Sequence, residues 1–187
     1  SDFRDEILDI VVVDSQSLNA FAAPGGVVGI NLGLFLQADD VHEFSSVIAH
    51  ELAHLSQRHF ARRVEERRSA SLTTMASMIA GRLIGAAGGT DAALATISLA
   101  QAASQGYQLR YSREREIEAD RIGLATMVNA GLDPNGASRM FERMQRAYRF
   151  TRRPPEFLLT HPLSETRIAD AKNQAPVSYT HLRAHET

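Results

Sequence analysis

Short apolar runs near the start of the chain predict strands. Residues 10–13 form a β-branched run, and the apolar segments 19–23 and 27–31 flank the sequence Pro24-Gly25-Gly26. Proline and glycine at such a position favour a tight turn between two strands. We therefore predict a small antiparallel sheet near the N-terminus.

Beyond residue 40 the apolar positions recur at helical spacing. Asp40 and Glu43 form a variant of the capping box, so a helix is predicted from Asp40 to about Arg67. The segment 71–105 is rich in alanine and other small residues and is broken at Gly88-Gly89. Its apolar run is interrupted by an arginine and several hydroxyls and is shorter than about 18 residues. We predict a helical hairpin that covers the core, rather than a membrane span, with its exposed apolar side open to a membrane or a substrate.

The last third of the chain also has helical patterns. One helix ends at Asn129-Ala130-Gly131, where glycine provides the C-cap. Asp133-Pro134 starts the next helix, which is predicted to end near Tyr148, and a short helix follows from Ser164. The apolar stripe of the helix before Tyr148 is interpreted as core packing. It consists of Ala137, Met140, Phe141, Met144 and Tyr148.

Composition narrows the class of protein. At 187 residues the chain is long enough for one domain with its own core. A net charge of −2 with interspersed signs gives no indication of nucleic-acid binding. The absence of cysteine excludes disulfides and thiol chemistry and is compatible with any compartment. A local arginine cluster is interpreted as a solvated helix end, with contact to an acidic membrane surface as the alternative. Its members are Arg58, Arg62, Arg63, Arg67 and Arg68.

The ends of the chain suggest an excised domain. The first residue is not methionine, and no signal peptide is recognisable, so targeting information is expected to have been cut away. Residues 1–176 are assigned to one predominantly helical α+β domain. The stretch 177–187 breaks the preceding pattern and is predicted to be a non-native tail. His181 and His185 are therefore excluded from any site.

The motif with the clearest chemistry is His50-Glu51-Leu52-Ala53-His54, an H-E-x-x-H run in a predicted helix. Residues four apart on a helix differ by about 40° in direction, so the two imidazoles point at one spot. Two neutral histidines supply half of a tetrahedral zinc site. The glutamate between them can take a proton from a water activated by the metal.

A catalytic zinc needs a third protein ligand. The variant with a downstream histidine is excluded, because Phe60 stands at that position. The acidic stretch 114–120 offers two pairs of carboxylates. At about 100° per residue, Glu116 and Asp120 lie at the edge of the apolar face, whereas Glu114 and Glu118 face solvent. Glu116 is the predicted ligand, and Asp120 would orient a zinc-bound histidine. The alternative is that both merely pair with nearby arginines.

These motifs resemble the zinc metallopeptidases of the HtpX, BepA and CAAX-prenyl endopeptidase group. The resemblance is carried by 50–54, by 116–120, by Thr160-His161-Pro162 with Arg167, and by 19–31. It runs from about residue 8 to residue 171 and is closest to the soluble BepA-like branch. It implies a zincin-like fold, Glu116 as a zinc ligand and a periplasmic location.

The resemblance implies roles for two further residues. In the related peptidases the histidine matched by His161 lies over the zinc. There it either stabilises the oxyanion or, in BepA-like proteins, occupies the open position and holds the enzyme off. Arg167 is placed to position that loop or to pair with a site carboxylate.

Peptidases of this fold bind an extended substrate at a sheet edge above the motif helix. We place that edge at Val27, Val28, Gly29 and Ile30, with an ordinary core hairpin as the alternative.

The leading hypothesis is an endopeptidase with one Zn²⁺ per chain. His50, His54 and Glu116 bind the metal, and Glu51 is the base that activates water against peptide bonds of misfolded or unassembled envelope proteins. The second hypothesis is a chaperone or assembly factor for outer-membrane proteins, its site plugged by His161. Expected partners are extended polypeptides, the outer-membrane assembly machinery and, peripherally, a membrane. A coincidental motif in a helical interaction domain would bind no stoichiometric zinc.

Overall fold

The computed structural model describes the backbone of residues 9–87, 89–150 and 154–183, and side chains in these ranges except 107, 111, 148, 150 and 176–183. Its contacts divide the chain into two compact units. The first contains residues 1–58 and 116–187, and the second, which we call the hairpin unit, contains residues 59–115.

The sheet of the first unit has three strands: β1 (Asp9–Val13), β2 (Ala20–Ala23) and β3 (Val27–Asn31). Strands β2 and β3 form the predicted antiparallel hairpin, with Gly25 and Gly26 at φ angles of 88° and 77° in its turn. The sheet as a whole is mixed, because β1 pairs with β3 in parallel.

The strand order is β1-β3-β2, so β3 is the central strand. The expectation of a free edge at Val27, Val28, Gly29 and Ile30 is therefore wrong, since both sides of β3 are occupied by neighbouring strands. Val28 and Ile30 are instead buried in the core. The edge strands are β1 and β2.

After the short helix α1 (Leu32–Gln37), helix α2 (Val41–Ser56) carries the H-E-x-x-H run. Asp40 caps it as predicted, since its side chain accepts hydrogen bonds from the amides of His42 and Glu43, both at 2.8 Å. The helix ends at Ser56 rather than near Arg67. The chain breaks there because Arg58 adopts a left-handed backbone conformation with φ of 51°.

The remaining helices of the first unit follow the predicted order. Helix α4 (Thr90–Asn129) ends in a glycine cap: Gly131 has φ of 71°, its amide donates to the carbonyl of Val128, and the amide of Leu132 donates to that of Met127. Helices α5 (Asn135–Phe150), α6 (Glu156–Thr160) and α7 (Glu165–Arg183) follow. The predominantly helical α+β class is confirmed.

The last helix of the chain differs from its prediction. Helix α7 is longer than the short helix predicted from Ser164, and its backbone continues to Arg183. The side chains of Tyr148 and His181, and residue His185, lie outside the described residues. The non-native tail over 177–187 stays a prediction.

The core of the first unit joins the sheet to α2 and α5. Its side chains pack around Val47 of α2 and the predicted methionines of α5, Met140 and Met144. This packing holds α2 beside the sheet, with its motif side chains buried. The buried members are Leu18, Ala20, Val28, Ile30, Leu34, Val47, Met140, Met144 and Phe157.

The hairpin unit consists of α3 (His59–Ala86) and the first part of α4. Two helices flank the predicted break, in which Gly88 is not described, and the covering of the core by this hairpin stays a prediction. None of the described helices is long and apolar enough to cross a bilayer.

Candidate metal centre

The motif residues of α2 lie side by side in the interior. His50, Glu51 and His54 are all buried, with Glu51 only 1% exposed. The Nε2 atoms of the two histidines are 3.0 Å apart. Spacing of four residues on one helix produces this approach, as the sequence predicted.

Helix α4 brings the predicted carboxylates to the same place. Oε2 of Glu116 lies 3.3 Å from Nε2 of His50, and Oε1 lies 3.6 Å from Nε2 of His54. Oδ1 of Asp120 lies 2.9 Å from Nδ1 of His50, on the other side of that ring. Glu114, which the helical geometry placed toward solvent, is half exposed and pairs with Arg110.

The segment between α6 and α7 contributes His161 and Arg167. Nδ1 of His161 lies 3.1 Å from Oε2 of Glu116 and 3.3 Å from Nε2 of His50. Arg167 forms a two-pronged pair with Asp120, at 2.6 and 2.8 Å, and donates to the carbonyl of Pro162 at 2.9 Å. Its guanidinium thus contacts a site carboxylate and also the loop that carries His161.

The geometry of these atoms fits a tetrahedral metal ion. Four ligand atoms at about 2.0–2.1 Å from a zinc ion would be about 3.3–3.4 Å from one another. The ligand atoms of His50, His54, Glu116 and His161 all lie within 4.8 Å of one another, and the separations given above are 3.0–3.6 Å. Nitrogen and oxygen atoms at such distances from one another can surround a single cation. The donor set of imidazoles and one carboxylate is one that divalent zinc uses.

Burial and charge strongly perturb these groups. Burial lowers the pKa of His50, but the carboxylates of Asp120 and Glu116 outweigh it and raise that pKa to about 9. Burial raises the pKa of Glu116, but hydrogen bonds from His161 and His50 hold it well below its usual range. Burial also raises the pKa of Asp120, but hydrogen bonds from Arg167 and His50 outweigh this effect and lower that pKa. The cluster is therefore a network of buried anions and their cationic partners.

Glu51 differs from the other carboxylates. Burial raises its pKa above the usual glutamate range. Its Oε2 accepts a hydrogen bond from the amide of Ala22 at 2.9 Å. Its buried Oε1 has no hydrogen-bond partner among the described residues and lies 3.4 Å from Nε2 of His161. The Ala22 amide of strand β2 thus fixes Oε2 of Glu51, and Oε1 is placed to interact with a small polar molecule.

Comparison with known proteins agrees with this geometry. Residues 1–175 match the sequence profile of peptidase family M48. The chain belongs to peptidase family M48.

Curated relatives of this M48 chain have related names. A beta-barrel assembly-enhancing protease of Escherichia coli (strain K12) is 37% identical over 165 residues, covering 88% of this chain and 34% of the relative. A Vibrio cholerae protein whose name is putative beta-barrel assembly-enhancing protease is 43% identical over 164 residues. The match again covers 88% of this chain and 34% of the relative. The human mitochondrial metalloendopeptidase OMA1 is 32% identical over 163 residues, or 85% of this chain and 30% of the relative. The chain therefore spans about a third of the length of these relatives.

Two residues next to the M48 site could not be recognised from the side-chain pattern used above. Ala22 contacts Glu51 through its backbone amide, so its side chain gives no signal. Phe157 stacks on His161 with ring centroids 4.6 Å apart and accepts a hydrogen bond from the His161 amide at 2.9 Å. Its position four residues before His161 could have indicated a helical turn that supports the ring.

Proposed function

We propose that this M48 domain is a zinc-dependent endopeptidase. The observation that carries the proposal is the convergence of His50, His54 and Glu116 at tetrahedral spacing, next to the buried Glu51, whose Oε1 has no hydrogen-bond partner among the described residues. His50, His54 and Glu116 are the proposed metal ligands. The M48 profile supports a metal cofactor, and the donor set favours zinc among the common metals.

The bound metal would lower the pKa of a water and polarise the scissile carbonyl. Glu51 then acts as general base, accepting the proton of the attacking water on Oε1 and returning it to the leaving amine. Its raised pKa suits a group that must both accept and release a proton near neutral pH. The amide of Ala22 keeps the glutamate in place through Oε2.

Asp120 and Arg167 act on the ligands rather than on the substrate. Asp120 faces Nδ1 of His50 and so orients the ring with Nε2 toward the metal position. Arg167 neutralises Asp120 and lies 3.2 Å from Oε2 of Glu116. Removal of such outer partners typically weakens metal affinity by about 10–100-fold.

The substrate is proposed to be an extended polypeptide. Strand β2 is an edge strand, and its Ala22 amide already contacts Glu51, so a peptide added along β2 would lie against the catalytic glutamate. Main-chain hydrogen bonding of this kind selects extended conformation more than side-chain identity.

The names of the bacterial relatives support the cellular part of the proposal. Their name, beta-barrel assembly-enhancing protease, refers to the assembly of beta-barrels. We infer that this domain acts in the periplasm on misfolded or unassembled envelope proteins, near the assembly machinery.

Metal removal provides the first test. Purified protein should hydrolyse unfolded casein, lose that activity after dialysis against a chelator, and regain it with one equivalent of Zn²⁺ per chain. The metal-free form should also unfold at lower temperature, because ions that bind only the native state stabilise it. Metal analysis, casein cleavage and a thermal scan check these results. Absence of stoichiometric zinc would contradict the proposal.

A second candidate function is a closed assembly factor. It is favoured by the position of His161, whose Nδ1 lies among the proposed ligand atoms. A fourth protein ligand is characteristic of structural zinc sites. In this state the domain would bind polypeptides without cleaving them.

Replacement of His161 distinguishes the candidates. We expect His161→Ala to raise casein hydrolysis several-fold, because it vacates the fourth position while leaving the three proposed ligands. His42→Ala is the control, since this histidine of α2 is not among the clustered ligand residues and instead accepts a hydrogen bond from the amide of Asp133. A fall in the rate would mean that His161 assists catalysis, and the absence of cleavage by either form would favour the assembly factor.

A further inference from the structure

Large apolar side chains of the hairpin unit point outward. On α3, Leu72, Met75, Ile79 and Leu83 are 58–69% exposed. At about 100° per residue they lie within about 80° of one another around the helix axis. We call these four residues the outer stripe. Exposed apolar rows of this length mark interaction sites more often than isolated exposed leucines do.

The inner side of the same hairpin is built mostly from small residues. The buried or half-buried positions of α3 include Ala70, Thr74, Ser77 and Gly81, and those of α4 include Ala93, Ala100 and Ser104, with Ile84 and Ile97 as large apolar residues among them. A Cβ at Gly81 would lie 2.7 Å from Ile97, so glycine permits the close approach of the helices. A water-exposed hairpin normally has the opposite arrangement, with large apolar residues inside. Small residues between helices and large apolar residues outside are typical of helices in contact with lipid.

The charge of the hairpin unit indicates which kind of surface the outer stripe would contact. Residues 59–115 contain eight arginines and four acidic residues, a net charge of +4, whereas the whole chain has a net charge of −2. Arg67 and Arg68 are exposed one turn before Leu72, and Arg68 lies on the same side of α3 as the outer stripe. Arg82 is exposed beside Leu83. An apolar row bounded by arginines matches the boundary between acyl chains and anionic headgroups.

We propose that the outer stripe docks on an anionic lipid bilayer. The four apolar side chains enter the headgroup–acyl boundary, while Arg67, Arg68 and Arg82 reach the lipid phosphates. Because the four side chains run along one side of α3, this helix would lie along the bilayer surface. A second copy of the chain fits less well, because two surfaces of net charge +4 repel each other.

Vesicle sedimentation tests the proposal. Wild-type protein should sediment with vesicles of equal parts phosphatidylglycerol and phosphatidylcholine, and much less with phosphatidylcholine alone. Salt of about 0.5 M should weaken this binding, because screening shortens the range of the arginine charges. Failure of the wild type to sediment with the anionic vesicles would overturn the proposal.

Matched variants locate the surface. The triple variant Leu72→Gln/Ile79→Gln/Leu83→Gln should bind anionic vesicles at least about tenfold more weakly. The control Leu36→Gln/Val41→Gln changes residues that are 69% and 58% exposed in the first unit and should bind like the wild type. Equal binding by the triple variant and the wild type would refute the role of the stripe. Circular dichroism and casein hydrolysis verify that both variants remain folded.

The arginines have their own control. Arg67→Gln/Arg68→Gln should reduce the preference for anionic vesicles several-fold, whereas Arg146→Gln, 61% exposed in the first unit, should not.

Two results would assign the stripe to another partner and overturn the lipid proposal. One is a wild-type dimer in solution that the triple variant converts to a monomer. The other is a triple variant that loses binding to unfolded casein while retaining binding to vesicles.

Discussion

Replacement of Glu51 by glutamine should reduce casein hydrolysis by about 10²–10⁴-fold, the usual contribution of a general acid–base group. The amide has the same shape and can still accept the hydrogen bond from Ala22, but it cannot take a proton from water. Since Glu51 is not among the proposed metal ligands, zinc content should remain one per chain. Hydrolysis of labelled casein and metal analysis of the same preparation measure the two effects separately.

Glu43→Gln is the matched control for Glu51→Gln. Glu43 lies on the same helix and is equally buried at 2% exposure, but it pairs with Arg143 at 2.8 Å and accepts from the amide of Asp39. Its replacement should lower the free energy of unfolding by about 1–3 kcal/mol while folded protein still cleaves casein. Cleavage of casein by Glu51→Gln at the wild-type rate would show that Glu51 is not the general base.

The approach of the proposed ligands on α2 and α4 could be predicted because helical geometry is local, whereas His161 and Arg167 were indicated only by the family resemblance. His50 and His54 need only the rotation of about 100° per residue to converge, and the same rotation separates Glu116 from Glu114. The cap at Asp40 and the glycine end at Gly131 are local as well, since each depends on backbone conformation within one turn. These features need no knowledge of distant parts of the chain.

The features that the sequence did not reveal depend on distant or backbone interactions. β3 is central because β1 pairs in parallel with β3 and not with β2, the next strand along the chain, and alternation within a strand carries no information about strand order. The break after Ser56 depends on the φ angle of Arg58, a residue type that rarely adopts that conformation. The bond from Ala22 to Glu51 uses the main chain, so no side-chain pattern could indicate it.

These two groups of features have different consequences for function. The proposed metal ligands on α2 and α4 follow from helix faces, which the sequence alone can indicate. The proposed position of the substrate depends on the sheet order, in which β2 and not β3 is the edge strand next to Glu51.

Arg167→Met is expected to have the largest effect on stability. Arg167 is 2% exposed and binds both oxygens of Asp120, so its loss leaves a buried carboxylate with fewer partners. Breaking a buried pair on one side costs about 3–5 kcal/mol. The loss of unfolding free energy should lie at the lower end of this range, about 3 kcal/mol, because His50 remains 2.9 Å from Asp120 in the metal-free protein. Urea unfolding of metal-free wild type and variant measures the difference.

Arg121→Met provides the matched control, because Arg121 and Asp170 also link α4 to α7. That pair is separated by 3.3 Å, and Arg121 is 58% exposed, so its loss should cost about 0–1 kcal/mol. Adding Asp120→Asn to Arg167→Met should recover part of the larger loss, since the buried negative charge is removed. A loss for Arg167→Met no larger than for Arg121→Met would mean that the buried pair does not hold α4 to α7. In that case the alignment of Glu116 with the α2 histidines must come from the other contacts, which are the pairs of Glu116 and Asp120 with His50 and the apolar packing.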